Sequence, residues 1–193
     1  MRLWWKTSAL VVAALALLLA MPFIPAVISD SQFYGQETDL EVPQMEGAPV
    51  PENGLNVVFF GYRHCGTVCP VQLGNLRRLN DEMNDERIRF VFVTLDPERD
   101  SRAELNRIMA SLGSRFVAVR PESWRAAQQL ALSYGDMVFR NGAGRSDEIG
   151  HRGHLYVVTS SNRKHLTYST HNLDLDRVRR DLRRLMAHQG RES

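Results

Sequence analysis

A chain of 193 residues, 44% hydrophobic and 24% charged, is long enough to bury one core of ordinary size. Its 24 basic and 22 acidic side chains leave a formal charge of +2, which gives no general case for nucleic-acid binding. Two cysteines are too few to staple a secreted scaffold, and a lone close pair suggests redox or metal chemistry instead.

The N-terminus reads Met1-Arg2-Leu3-Trp4-Trp5-Lys6, then an uncharged apolar run from Ser8 to Ile28. Roughly 20 such residues cross a ~30 Å hydrocarbon layer as one helix. Arg2 and Lys6 precede the run, so the positive-inside tendency keeps the N-terminus cytoplasmic and sends the rest across. Trp4 and Trp5 suit the interfacial belt. The rival is a cleaved signal peptide. The length of the run, its interruption by Pro22 and Pro25, and the lack of a small-x-small site near Ile28 favour an uncleaved anchor over residues 1–28. In either case the globular part faces an oxidising extracytoplasmic space. In a bacterium this means a single-pass protein of the inner membrane with its domain in the periplasm. Residues 29–54 read as a linker. Asp30, Glu37, Asp39, Glu41, Glu46 and Glu52 occur there without Lys or Arg, and Pro43, Pro49 and Pro51 break regular structure. Most of it is expected to be a solvated tether, with room for one edge strand.

From residue 55 to 193 the chain alternates. Val57–Phe60 is a short buried-type strand, and a helix runs from Pro70 to about Glu86 with Leu73, Leu76 and Met83 at helical spacing. Ile88–Leu95 is β-branched and aromatic, as a central strand should be. Asp100 or Ser101 caps the next helix, which carries Leu105, Ile108, Met109 and Leu112 and stops at Gly113. Phe116–Val119 is a strand, Pro121–Tyr134 a helix, and Met137–Phe139 a strand edge. A turn-rich loop follows at Asn141–Asp147. Leu155–Thr159 and His165–Ser169 form a hairpin, and a last helix from Asp174 buries Val178, Leu182, Leu185 and Met186. Strands alternating with helices imply βαβ crossovers. The expected fold is α/β: a thioredoxin-like (peroxiredoxin-like) mixed sheet flanked by helices, behind one N-terminal transmembrane helix.

The chemistry sits in Phe59-Phe60-Gly61-Tyr62-Arg63-His64-Cys65-Gly66-Thr67-Val68-Cys69-Pro70. A strand leading into a helix places the cysteine loop at a helix N-terminus, where partial positive charge favours thiolates, and Arg63 and His64 add to that field. At least one of the two thiols is therefore expected to have a lowered pKa. Thioredoxin-type pairs have two intervening residues. Here there are three, and positions four apart on a helical turn share one face, so both sulfurs can converge on one ion. A structural zinc needs two further good ligands. Two thiolates and one imidazole suit copper better, as three-coordinate Cu(I) or as Cu(II) with a further weak ligand or water. Of six histidines, His64 adjoins the pair as an electrostatic neighbour, and His165, His171 and His188 read as solvated. His151 and His154 remain. Periodicity leaves them nearly even, while a loop ending on the sheet rim can swing His151 over the cysteines.

The first motif, together with Val93-Thr94-Leu95-Asp96-Pro97-Glu98-Arg99-Asp100, resembles the SCO/SenC family of copper chaperones over roughly residues 55–187. That family also has a histidine five residues before an aromatic strand residue, which His151 and Tyr156 match. The resemblance implies a thioredoxin-like fold, copper held by Cys65, Cys69 and His151, and assembly of the copper A centre of cytochrome c oxidase. Asp96 matches an acid near the site that is not a ligand; its local alternative is to end a strand. Some bacterial members resemble thiol reductants or redox signalling components. Three departures stand out. Gly150 replaces the usual acid before the histidine and could loosen it. Ser160-Ser161-Asn162 replaces a Pro-Asp-Gly type turn, and the lead-in before Val57 is short.

A local disulfide closing so small a loop stabilises by much less than the ~3 kcal/mol of a 15-residue loop, so a purely structural pair is unattractive. The arginines at 177, 179, 180, 183 and 184 read as a solvated helix face or a surface for an acidic partner. Two functions remain. One is a metallochaperone that passes copper to a subunit of cytochrome c oxidase or another periplasmic copper protein. The other is a thiol–disulfide reductant in which Cys65 and Cys69 are the catalytic pair.

Overall fold

The computed structural model describes Val12, Ala14, Leu15, residues 33–140 and residues 148–192. The chain divides into two units, Met1–Gln32 and Phe33–Ser193. The apolar run read as an anchor lies outside the described residues except for Val12, Ala14 and Leu15, and the loop at 141–147 lies wholly outside them. Among the described residues no helix is long and apolar enough to cross a membrane.

The second unit runs β1 (Gln36–Glu41), β2 (Leu55–Gly61), α1 (Val68–Met83), β3 (Ile88–Thr94), α2 (Arg102–Leu112), β4 (Phe116–Val119), α3 (Trp124–Ser133), β5 (Phe139–Arg140), β6 (Ile149–Gly150), β7 (Leu155–Thr159), β8 (Arg163–Tyr168) and α4 (Leu175–Glu192). Six strands form one sheet in the order β1-β8-β7-β2-β3-β4; β5 and β6 pair separately. β2, β3 and β4 are parallel, joined by α1 and α2, whereas β7 lies antiparallel to β2 and β8 antiparallel to β7.

β2 is buried along its whole length, which explains its unbroken apolar run. Successive side chains of a strand point to opposite faces. Phe60 meets Tyr134 and Tyr156 edge-on, with centroids at 5.2 and 5.9 Å. Phe59, on the other face, meets Phe92 at 5.9 Å and His151 at 6.2 Å. Helix boundaries follow their caps. α1 starts at Val68, two residues before Pro70, because proline in a first turn lacks only an N–H that has no helical partner. Ser123 accepts the Ala126 N–H and starts α3 there, three residues after Pro121. Ser101 caps α2 in the same way.

The stretch from Phe33 onward is part of the domain. β1 pairs antiparallel with β8, and Val42, Met45 and Ala48 are buried. The acidic side chains that suggested a tether lie exposed along an edge strand, where charge is common. Asp39 pairs with Arg163 at 2.5 Å. Asp181 of α4 secures the entry: its buried carboxylate accepts the N–H groups of Tyr34 and Gly35 at 2.9 Å and the Tyr168 hydroxyl at 3.1 Å. Removing it strands three donors. Asp181→Ala is expected to cost about 3 kcal/mol in urea unfolding and to speed amide exchange at residues 34–41, while amides of β2 and β3 stay protected.

Candidate metal centre

After β2 the chain turns, with the Cys65 N–H donating to the Tyr62 carbonyl at 3.2 Å. Cys69 lies in the first turn of α1, but Cys65 lies before the helix. Their convergence therefore comes from the turn, and not from a shared helical face as the four-residue spacing suggested. Both are free thiols, 7% and 3% exposed.

β7 lies beside β2 with Leu155 opposite Phe59, so the chain entering β7 meets the chain leaving β2. His151 stands there. Its Nε2 is 3.7 Å from Cys65 Sγ and 3.6 Å from Cys69 Sγ, and the three donor atoms all lie within 4.8 Å of one another. Metal bonds of roughly 2.3 Å to sulfur and 2.0 Å to nitrogen, 120° apart, place N and S ~3.7 Å from each other. Both N–S separations match that geometry, so the group is sized for one cation. Among the described residues this is the one such group of three or more His, Cys, Asp or Glu side chains.

The other candidates lie elsewhere. His154 is half-buried against Tyr156, with ring centroids at 6.1 Å. His64 is exposed, its Nε2 3.3 Å from an Arg63 nitrogen. Arg63 is itself held by Glu104 at 2.5 Å, and its backbone N–H donates to Asp100. His165 is half-buried in β8, and His171 and His188 are exposed. Asp96 is outside the group. It ends β3, pairs with Arg99 and, at 3.3 Å, with Arg140, and its carbonyl accepts the Arg99 and Asp100 N–H groups.

The two thiols differ. Burial pushes Cys65 up, but hydrogen bonds from the Cys69 thiol, the Thr67 and Cys69 backbone N–H groups and the Thr67 hydroxyl outweigh it, and the pKa falls below the ordinary thiol value. Burial, then the bond to Cys65, drives Cys69 far the other way. Burial lowers His151 to about 4, so the imidazole is neutral at physiological pH and keeps a lone pair for a metal.

The SCO1/SenC family model matches residues 46–187. The chain belongs to this family. It is 31% identical over 96 residues to the mitochondrial SCO2 homologue of Homo sapiens, covering 48% of this chain and 35% of that protein. It is 26% identical over 70 residues to an SCO2-like protein of Rickettsia felis, covering 35% and 34%. The chain thus spans about a third of the length of these curated relatives. Among solved structures, a SCO1/SenC family lipoprotein from Bacillus anthracis aligns with TM-score 0.63 at 18% identity, over 78% of this chain and 95% of that one. Arabidopsis thaliana ScoI with copper bound aligns with TM-score 0.62 at 17% identity, over 79% and 98%. These likenesses establish a mixed α/β, thioredoxin-like Sco fold.

Within that family frame, this chain holds its histidine loop through the backbone. Tyr62 Oη accepts the Ile149 N–H at 3.3 Å, and Asp136 Oδ1 accepts the Arg152 N–H at 3.4 Å. Gln72 Nε2 donates to the Gly153 carbonyl at 2.6 Å and to the Thr170 carbonyl at 3.4 Å. Gly153 has φ +69°, and a Cβ there would stand 2.5 Å from Val68 Cγ2, so only glycine lets this loop rest on the first turn of α1. Phe59 and Tyr62 flank the imidazole at 6.2 and 5.9 Å. His151 Nδ1 is buried and has no hydrogen-bond partner among the described residues. Gly150 is no loose joint: it pairs with Phe139 across β5–β6, and a Cβ there would collide with that ring.

Gln72 and Asp136 escape sequence reasoning for different reasons. Gln72 interrupts the buried α1 stripe of Cys69, Leu76, Leu79 and Met83, and a polar side chain there must find partners. That signal was present. Asp136 follows a turn with no local pattern, and only the folded chain brings it to Arg152.

The depressed His151 pKa has a sign. Unfolded chain takes up the proton near pH 6.5, whereas folded chain resists it until about 4. The stability His151 confers is thus complete above 6.5 and drains away as pH falls toward 4. Between pH 7 and 4 the reduced protein should lose up to about 3 kcal/mol more than His151→Leu. Asp136, which burial raises, titrates in both proteins and cancels. A urea-unfolding series showing parallel pH profiles contradicts the assignment.

Proposed function

We propose that this protein is a copper metallochaperone: Cys65, Cys69 and His151 hold one copper ion as cargo and deliver it to the copper A centre of cytochrome c oxidase. The observation that carries the reading is a neutral imidazole nitrogen 3.6–3.7 Å from two free thiols. The set is soft and three-membered, which suits Cu(I) better than zinc. Membership of the SCO1/SenC family and the likeness to ScoI with copper bound support the metal. In this reading residues 1–28 anchor the chain in the inner membrane and the domain, from Phe33 on, works in the periplasm. Transfer proceeds by ligand exchange, with partner thiolates replacing Cys65 and Cys69 one at a time.

A second reading has its own support in the split between the thiols. Cys65, with the lowered pKa, is suited to attack a partner disulfide, forming a mixed disulfide and expelling one partner thiolate. Cys69, once deprotonated, then attacks Cys65 Sγ. This closes the Cys65–Cys69 disulfide and releases the second partner thiolate, moving two electrons in all. The two activities are compatible, since a copper acceptor must be reduced before loading.

His151→Ala separates them. It should abolish Cu(I) retention against a competing chelator while thiol exchange stays within a few-fold of the parent. Support of oxidase assembly by this variant at low copper would sink the chaperone reading. Gln72→Glu keeps shape but turns a donor into an acceptor facing two carbonyls. It should weaken Cu(I) binding about tenfold with the far-UV spectrum unchanged, whereas undiminished affinity would show that Gln72 does not position His151.

A further inference from the structure

Asp100 is a fully buried carboxylate to which neither reading of the site gives a task. Its Oδ2 accepts the Thr94 hydroxyl at 2.6 Å and the Arg63 N–H at 3.1 Å. Its Oδ1 has no hydrogen-bond partner among the described residues, and the Arg63 Nε stands 4.0 Å from it. The Arg120 guanidinium is turned to the Asp100 carbonyl, at 2.9 Å. Keeping a charge out of water with one oxygen unsatisfied is costly. The start of α2 does not require it, because Ser101 supplies that cap.

The task follows from where the carboxylate stands. β2 and β3 are parallel, with Gly61 opposite Thr94. A Cβ on Gly61 would stand 2.9 Å from Cys69 Sγ, so the sulfur lies over that point of β2. Partners in register on parallel strands turn their Cβ atoms to the same face, about 4.8 Å apart. The Thr94 hydroxyl, on that face, reaches Asp100. Sulfur and carboxylate are thus neighbours over one end of the sheet, and the Asp100 charge is felt at Cys69. The same carboxylate holds the main chain two residues before Cys65.

We propose that Asp100 sets the charge preference of the site formed by Cys65, Cys69 and His151, disfavouring a monovalent ion relative to a divalent one. The argument is a count of charge. Two thiolates and a neutral imidazole around a monovalent ion carry one net negative charge; around a divalent ion they carry none. A fixed negative charge beside the site repels the first arrangement and spares the second. Both arrangements use the same ligands, so the protons released on loading cancel from the comparison. Arg63 screens the carboxylate without changing the sign. The inference rests on the copper reading. There it makes Cu(I) the form of the cargo that is more readily surrendered to an acceptor's thiolates, and it identifies a determinant of release that touches no metal.

The test measures Cu(I) and Zn(II) affinities of the reduced full chain against competing chelators near neutral pH, with Zn(II) as the redox-inert divalent probe. Asp100→Asn keeps the shape and one acceptor oxygen while removing the charge. The ratio of the Cu(I) to the Zn(II) association constant should rise about tenfold. A merely structural role moves both affinities together and leaves their ratio in place. A ratio that changes by less than about threefold, or that falls, overturns the proposal. If Asp100→Asn does not fold, Arg63→Gln replaces it. That variant keeps the backbone donor and strips a cation from beside Asp100, so the ratio should fall by about threefold, and an unmoved ratio overturns the proposal. Parent protein that takes up no Cu(I) rejects the copper reading and the proposal with it. Parent protein that binds Cu(I), paired with a variant showing the parent's ratio, rejects the role of Asp100 alone.

Discussion

The cluster of Cys65, Cys69 and His151 depends on the antiparallel pairing of β2 with β7. Opposite Phe59 stands Leu155, so the segment leaving β2 and the segment entering β7 share one end of the sheet. Cysteines separated from the histidine by more than 80 residues become neighbours because two strands run in opposite senses side by side. Both strands are buried throughout, and sliding one by a single residue would exchange the side chains of its two packed faces and disrupt both layers. The distance from sulfur to imidazole thus inherits the rigidity of the core.

Around that pairing, the site is held in readiness by contacts to main chain. Hydrogen bonds at Ile149, Arg152 and Gly153 bracket His151 from the turn after β2, from the turn after α3 and from α1. Among the described residues the ring makes no hydrogen bond at Nδ1. Orientation by the backbone does the work that a carboxylate on the far nitrogen performs at many metal sites. Because burial keeps the imidazole neutral, the same loop also presents a nitrogen lone pair that needs no deprotonation at physiological pH. The sulfurs divide their tasks: one thiol is eased toward thiolate by donors converging on it, while its neighbour keeps its proton more tightly.

How much of this was legible beforehand varied by residue. The apolar run before the cysteines and the helical spacing after them located both elements to within a few residues, since period-2 and period-3.6 patterns reflect burial directly. The cysteine pair announced itself by type and proximity. The reason given for its convergence did not survive, because a four-residue interval implies one helical face only if the helix covers both ends, and α1 begins after Cys65. The acidic stretch ahead of Val57 misled in another way. Charge and proline describe a tether and an exposed edge strand equally well, and only the bonds to Asp181 and the pairing with β8 tell them apart.

Taken alone, the amino-acid order determined the type of chemistry and the layering of the domain: two thiols at a strand-to-helix turn, alternating elements, a histidine ahead of an aromatic strand. These are local properties, set by side-chain type and by the periodicity of burial. The folded chain decided the rest: that His151 and not His154 faces the sulfurs, that Gln72 and Asp136 hold its loop, and that the domain begins at Phe33. Each of those is a contact between segments distant along the chain, settled by strand order and register, which no short window of residues encodes.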